Sequence, residues 1–194
     1  MTVREIVHIL DPKSYFDGSH SLRQVCRPVN FATDDVKGLC ADLRDTFYSM
    51  KIAVGLAAPQ IGIQLRALII NATKRDLPPD ASEEEKRRDE IIVINPTILK
   101  MEGSAEPYNE ACMSVPNRRG NVDRPGIVHV GFHNERGRYV RKVFSGFMAR
   151  IALHENDHLN GVLYIDRLND LSETFEDVYF TEENYAFLNR KKEC

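Results

Sequence analysis

The segment His154-Glu155-Asn156-Asp157-His158 constrains the fold of this chain more than any other feature of its sequence. In an α-helix, residues four positions apart lie on the same face, so two imidazoles one turn apart can bind one metal ion. The intervening glutamate projects beside them, within reach of a water molecule bound to that ion. The spacing therefore predicts a helix that carries two metal ligands and a general acid/base, an arrangement suited to hydrolysis.

The same helical face carries Phe147 and Ile151, which lie at helical offsets from the first histidine and turn that face towards the interior. Burying two imidazoles without polar partners is costly, and a metal ion would satisfy both. The alternative is a pair of satisfied core histidines on a half-buried helix. We expect the helix to end at Asn160-Gly161. Asp157 is a candidate for orienting a ligand imidazole through its other nitrogen, or else an exposed helix residue.

A catalytic metal site of this kind needs a third protein ligand from elsewhere in the chain. The residues after the motif, 159–163, contain no histidine. Cys112, within Glu110-Ala111-Cys112-Met113-Ser114, is a candidate because a thiolate is a strong ligand for iron or zinc. Taken alone, an interior cysteine is more often a small core residue. A metallopeptidase that shares only the histidine motif would instead draw its third ligand from a downstream histidine or glutamate.

Three segments, in their order along the chain, resemble the three signature motifs of the peptide deformylase family. They are Val54-Gly55-Leu56-Ala57-Ala58-Pro59-Gln60, the segment around Cys112, and the histidine motif. The similarity spans most of residues 20–168. It implies an α+β fold in which mixed and antiparallel sheets pack around a central metal-binding helix. It also implies an enzyme that removes the formyl group from N-terminal formyl-methionine of nascent polypeptides and releases formate.

The resemblance further implies a set of site residues. One ferrous ion would be held by three ligands, with zinc, nickel or cobalt able to occupy the same site: Cys112, His154 and His158. Glu155 would be the general acid/base. The side-chain amide of Gln60 and the backbone N–H of Met113 would stabilise the developing oxyanion. Gly55 would let the substrate backbone approach closely. The implied partners are N-formylmethionyl peptides and nascent chains, and contact with the ribosome stays open.

Some positions depart from the family pattern or extend it. Ala53 and Ala111 stand where the motifs usually have glycine, and a positive φ at either would cost about 1 kcal/mol or more and shift the site. Arg119 corresponds to a family arginine that pairs with Glu110, although an exposed arginine is the alternative. A pocket for the methionine side chain would draw on four apolar residues: Ile52, Val54, Leu56 and Ile151. A deformylase-like module that binds peptides without catalysis is a further alternative, disfavoured by the retention of Glu155.

Composition narrows the class of protein. A net charge of −3 and a basic run confined to Arg190-Lys191-Lys192 do not favour a nucleic-acid binder. The first residues lack the apolar core of a secretory signal, and no window approaches the roughly 18 to 20 apolar residues of a membrane span. We therefore expect a cytoplasmic protein whose four widely spaced cysteines are thiols.

The length predicts one compact domain over residues 1–194, and the family resemblance implies that this domain is catalytic. Hydrophobic periodicity predicts helices and strands separated by polar segments. The predicted elements are a helix at 33–50, an apolar loop at 54–60, strands at 65–70 and 91–94, a hairpin of 127–132 with 139–144, the motif helix, and a second helix within 181–190. The charge-dense residues 73–90 are interpreted as a solvated loop that adds little to the core, with a docking surface as the alternative.

Overall fold

The structure, a computed structural model, describes residues 2–9, 17–78, 80–168 and 174–176. Its helices and strands, in chain order, are α1 (Val36–Ser49), β1 (Gly55–Ala57), β2 (Ala67–Ile70), α2 (Glu83–Arg87), β3 (Ile91–Cys112), β4 (Val115–His133), β5 (Tyr139–Ser145), α3 (Gly146–His158) and β6 (Phe175–Glu176). The helix predicted within 181–190 lies outside the described residues. Within the described ranges, no helix combines the length and the hydropathy needed to cross a membrane.

The described strands form one antiparallel sheet in the order β1-β2-β3-β4-β5, and β6 pairs with β4. Helix α3 packs against β1, β2, β4 and β5, so the sheet surrounds it on several sides. Most residues from Ala149 to His158 are buried, as expected of a helix with neighbours on most of its faces. The α+β class and the central position of the helix that carries the histidine motif are confirmed.

Strands β3 and β4 form a hairpin far longer than the sequence indicated. The middle of β3 is exposed, so it lacks the alternation of a half-buried strand, and Pro107, Pro116 and Pro125 read as strand breakers. The register between the strands shifts at four places, where bulges bend the hairpin. The hairpin closes where Cys112 pairs with Val115. Cys112 is therefore held at a hairpin tip.

The apolar segment at 54–60 is more regular than the predicted loop. Residues Gly55–Ala57 pair with β2 as a short strand, so the interpretation of that part as a loop is wrong. A 3₁₀-helix, Ala58–Ile61, follows directly and carries Gln60. The residues of both elements are buried, because small side chains let the chain pass close to the core.

The charge-dense segment at 73–90 is folded in part, which corrects its interpretation as a solvated loop. It contains most of a 3₁₀-helix, Ala72–Asp76, and the exposed helix α2. Lys74 is buried, and its ammonium group donates to the carbonyl oxygens of Phe47, Met50 and Ala53. Through Lys74 the segment holds the end of α1 and the residues that follow it, although α2 itself has no buried residues.

The predicted first helix and the second hairpin agree with the structure. Helix α1 begins one residue after Asp35, whose carboxylate accepts a hydrogen bond from the N–H of Gly38 at 2.9 Å, as an N-cap does. Strands β4 and β5 pair through residues 127–133 and 139–145. In these segments the local sequence pattern and the tertiary packing favour the same structure.

Gly161, which follows α3, generates a prediction about stability. Its φ is +72°, and a Cβ there would lie 2.3 Å from the carbonyl oxygen of Arg23. We expect Gly161→Ala to lower the free energy of unfolding by more than about 1 kcal/mol in urea denaturation. Gly126→Ala is the control, because a Cβ there meets no described atom within 4 Å, and it should change stability by no more than about 0.5 kcal/mol. Equal effects would contradict the prediction.

Candidate metal centre

The structure brings the tip of the β3–β4 hairpin against the histidines of α3. The ligand atoms of Cys112, His154 and His158 lie within 4.8 Å of one another. The sulfur of Cys112 is 3.3 Å from Nε2 of His158, and the two imidazole rings are 5.1 Å apart between centroids. One thiolate and two imidazoles form a donor set that suits iron(II) or zinc. The three side chains therefore fit a single divalent ion.

Glu110 orients one of the two imidazoles. Its Oε2 lies 2.9 Å from Nδ1 of His154, which leaves Nε2 of that ring to face the other ligand atoms. Burial acts to raise the pKa of Glu110, but hydrogen bonds with His154 and Arg124 hold that pKa below its usual range. The carboxylate is therefore ionised and accepts the proton of the ring. No sequence motif indicated this role for Glu110.

The prediction that Asp157 orients a ligand imidazole is wrong, and so is the alternative of an exposed helix residue. Asp157 is buried and binds two arginines. Its Oδ2 accepts hydrogen bonds from Arg124 at 2.8 Å and from Arg167 at 2.6 Å. Asp157 therefore joins α3 to β4 and to the 3₁₀-helix Tyr164–Arg167, outside the circle of metal ligands.

The predicted pair of Arg119 with Glu110 is also wrong. Glu110 pairs in register with Gly120, so its side chain shares a face of the hairpin with the even-numbered residues that include Arg124. Arg124 donates to both carboxylate oxygens of Glu110, at 2.7 and 2.9 Å. Arg119 lies on the other face and donates to Asn109 at 3.1 Å. Because of the pleat of β4, Arg124 and not Arg119 faces Glu110.

Gln60 is held so that its amide NH₂ faces the ligands. Its Oε1 accepts a hydrogen bond from the N–H of Ala57 at 2.8 Å, which requires the oxygen to be on that side. Its Nε2 lies 3.6 Å from the sulfur of Cys112 and donates to Oγ of Ser114 at 3.3 Å. The side chain is only 1% exposed. This is a donor whose direction is set before any substrate arrives.

Glu155 lies beside the ligands in a buried position. Its Oε2 has no hydrogen-bond partner among the described residues. Burial raises the pKa of Glu155 to about 7. A divalent cation nearby would favour its charged form. The group is a buried carboxyl with an unpaired oxygen, as a residue that accepts a proton and returns it would need.

The absence of a side chain at Gly55 leaves space for the carboxyl group of Glu155. A Cβ at Gly55 would lie 2.5 Å from Oε1 of Glu155 and 2.8 Å from Cγ2 of Ile151. A Cβ atom does not approach other heavy atoms this closely without displacing them. Glycine at this position of β1 therefore leaves the room that the carboxyl group occupies. This close contact with Glu155 is distinct from the approach of a substrate backbone that the family resemblance implies.

A cleft opens beside these residues, and its lining agrees in part with the predicted pocket. Ile52, Val54 and Ile151 line it, whereas Leu56 is fully buried in the core beside α1, so its predicted place in the pocket is wrong. Met113 lines the cleft from the hairpin turn. The lining also includes residues that the sequence analysis did not place in a pocket: Tyr108, Asn109, Arg119, Phe147 and Arg150.

Ala53 and Ala111, the two departures from the glycines of the motifs, carry no backbone strain of the expected kind. Among the described residues, the non-glycine positions with positive φ are Asn95 and Asn117. The extra methyl groups are therefore compatible with the local backbone, and the expected cost of alanine does not arise.

The sequence matches the family model for polypeptide deformylases over residues 5–174. A curated relative, a peptide deformylase from Synechococcus sp. (strain RCC307), is 38% identical over 159 residues, which cover 82% of this chain and 74% of the relative. The range matched by the family model, residues 5–174, contains every residue of the candidate metal centre.

Solved structures are similar in fold as well. The crystal structure of a peptide deformylase from Synechococcus elongatus in complex with actinonin aligns with a TM-score of 0.70 at 32% identity, covering 88% of this chain and 81% of that one. The Met-Ala-Ser-bound class I type b peptide deformylase from Acinetobacter baumannii aligns with a TM-score of 0.70 at 32% identity, covering 86% and 100%. In both cases the aligned region is much longer than the three motifs together.

The cluster predicts that Cys112 is a ligand. We expect Cys112→Ser to weaken Zn²⁺ binding by more than about tenfold, because replacing outer-shell partners alone can cause such a loss and a hydroxyl is a poorer donor than a thiolate. Competition with a chromophoric chelator under anaerobic conditions measures the affinity. Cys26→Ser, at a buried thiol outside the cluster, is the control and should bind as the parent does. Unchanged affinity in Cys112→Ser would place the third ligand elsewhere, as in a metallopeptidase.

Proposed function

Because the chain belongs to the polypeptide deformylase family, we propose that it hydrolyses the N-formyl group of formyl-methionine at the N-terminus of nascent polypeptides and releases formate. The observation that carries the proposal is the convergence of Cys112, His154 and His158 on one point, with Glu155 and Gln60 beside it. A structural relative was solved with Met-Ala-Ser, a peptide that begins with methionine. Such a peptide is what deformylation of a formyl-methionyl chain would leave.

We propose Fe²⁺ as the native ion of the site, with Zn²⁺, Ni²⁺ or Co²⁺ able to replace it. The donor set of one thiolate and two imidazoles supports this range of borderline metals. When bound, the ion would act as a Lewis acid and lower the pKa of a coordinated water, which supplies a nucleophile at neutral pH. Glu110 would keep Nε2 of His154 directed at the ion through its hydrogen bond to Nδ1.

The side chains around the ligands would then divide the chemistry. Glu155 would accept the proton of the attacking water and return it to the leaving amino group. The amide of Gln60 and the backbone N–H of Met113 would donate hydrogen bonds to the formyl oxygen as its negative charge develops. The anchoring of Gln60 by the N–H of Ala57 supports this role, because a donor that is already oriented loses little energy to reorganisation.

The cleft also suggests how the substrate lies. Ile52, Val54 and Ile151 would contact the methionine side chain, and Gly55 would lie along the peptide backbone. We propose that formyl-methionyl peptides and nascent chains are the substrates. We also propose that the enzyme acts in the cytoplasm, where it would meet nascent chains near the ribosome. We also propose that residues 1–194 form one catalytic domain.

The two alternatives receive less support. A metallopeptidase would take a histidine or glutamate after the motif as its third ligand, whereas the described cluster takes Cys112 from β3. A peptide-binding module without catalysis would have no need of Glu155 as a buried carboxyl beside the ligands. The retained positions of Glu155 and Gln60 favour the enzyme.

The proposal predicts that Glu155 is needed for turnover and not for metal binding. We expect Glu155→Gln to retain stoichiometric metal, measured anaerobically, while kcat for formate release from formyl-Met-Ala-Ser falls by about 100-fold or more, since general acid–base catalysis contributes that much. Glu102→Gln is the control, because this carboxylate of β3 is only partly exposed, pairs with Lys100 and His129 and does not line the cleft, and the variant should keep parental activity. A parent protein that binds metal and releases no formate would support the peptide-binding module instead.

The contact of Gly55 with Glu155 predicts a second kinetic effect. We expect Gly55→Ala to displace the carboxyl group and to lower kcat by up to about 100-fold, because small misplacements of a catalytic group can cost that much. Metal content should stay stoichiometric. Steady-state kinetics separate this effect from a role in substrate approach, since a rise in KM at unchanged kcat would show that Gly55 serves the substrate backbone alone.

A further inference from the structure

Glu110 has a second arginine partner that lies on the histidine helix itself. Arg150 precedes His154 by one turn of α3, so both side chains face the same carboxylate. Nη1 of Arg150 donates to Oε1 of Glu110 at 2.7 Å. The arginine is 9% exposed and lines the cleft.

The four hydrogen bonds to Glu110 complete its capacity as an acceptor. Its Oε1 accepts from Nε of Arg124 and from Nη1 of Arg150, and its Oε2 accepts from Nη2 of Arg124 and faces Nδ1 of His154. An ionised carboxylate has about four lone-pair sites, so every site is used. Each oxygen is held from two directions, and rotation of the group would break bonds on both sides.

Arg150 is itself held rigidly enough to serve as an anchor. Its guanidinium also donates to the carbonyl oxygen of Val122 at 2.8 Å and to that of Glu106 at 2.7 Å. It lies 5.0 Å from the centre of the Tyr108 ring, in cation–π range. Arg150 thus connects α3 with both strands of the hairpin that carries Cys112.

The other arginine on Glu110 has a divided task. Arg124 donates to Glu110 and also to Asp157, so one guanidinium serves two buried carboxylates. Arg150 gives Glu110 a cation that Asp157 does not share. A buried carboxylate needs close cationic partners to remain ionised and oriented, and Arg150 supplies the second.

We propose that Arg150 is a positioning residue of the metal centre: it holds the carboxylate of Glu110 in the orientation that directs His154 towards Cys112 and His158. The inference rests on the proposed metal site and adds to it a residue that acts through Glu110. It follows that loss of Arg150 affects the ion through the ring of His154, and that this effect requires the carboxylate.

The test measures metal binding and does not depend on turnover. We expect Arg150→Met to weaken Zn²⁺ binding about tenfold in chelator competition, the lower end of the effect of outer-shell substitutions. The visible absorption bands of the Co²⁺-loaded protein should shift, because a reoriented imidazole changes the ligand field. Arg44→Met is the control, since Arg44 is likewise an arginine paired with carboxylates, Glu90 and Glu135, but lies away from the site. It should change neither quantity.

A double-mutant cycle with Glu110→Gln tests whether the effect of Arg150 on metal binding depends on Glu110. If Arg150 acts through Glu110, Arg150→Met should weaken Zn²⁺ binding much less in the Glu110→Gln background than in the parent. Arg150→Lys keeps the charge without the paired donors and should give an intermediate loss, which also provides a measurement if the methionine variant does not fold.

The outcomes separate this inference from the proposed function. Unchanged Zn²⁺ affinity and Co²⁺ absorption in both Arg150 variants would overturn the inference, and so would an equal loss in the Glu110→Gln background. A parent protein that fails to bind one Zn²⁺ per chain would instead overturn the proposed metal site. Lower thermal stability with an unaltered Co²⁺ spectrum and Zn²⁺ affinity would reduce Arg150 to a packing role and count against the proposal.

Discussion

One buried carboxylate joins the two parts of the molecule that form the site. Glu110 on β3 accepts hydrogen bonds from Arg124 on β4 and from Arg150 on α3, and it also contacts His154. An ionised carboxylate in the interior costs several kcal/mol unless its lone pairs are satisfied, so this group is stable only where hairpin and helix meet. Because Cys112 follows Glu110 by two residues on the same strand, the contact also places the thiol over the histidines.

The rest of the site depends on close packing around that junction. Strand β1 passes so near to α3 that Gly55 has no space for a side chain beside Glu155. The 3₁₀-helix after β1 then brings Gln60 to the sulfur of Cys112, and Ala57 sets the direction of its amide. Both Gln60 and Glu155 are buried among these elements. A site of this kind orients its donors in advance of the reaction.

The errors of the sequence analysis have physical causes that differ from one residue to the next. The family resemblance indicates Arg119 as the partner of Glu110, but the pleat of β4 turns Arg124 to that face. Asp157 was expected to orient an imidazole because it lies within the histidine motif, yet it faces Arg124 and Arg167 on another side of α3. The length of the β3–β4 hairpin was missed because exposed strands and their prolines lack an alternating pattern.

The sequence by itself determined the helix with its two histidines and glutamate, the first helix, the second hairpin and the family resemblance that named Cys112 and Gln60. Those features follow from spacing along the chain or from motifs that can be read in order. Only the tertiary structure decided which arginines hold Glu110, why Gly55 must be glycine, and that Arg150 belongs to the surroundings of the metal centre. These contacts join residues 14 to 100 positions apart, as between Arg124 and Glu110 or Glu155 and Gly55, and no local periodicity encodes which distant side chains meet.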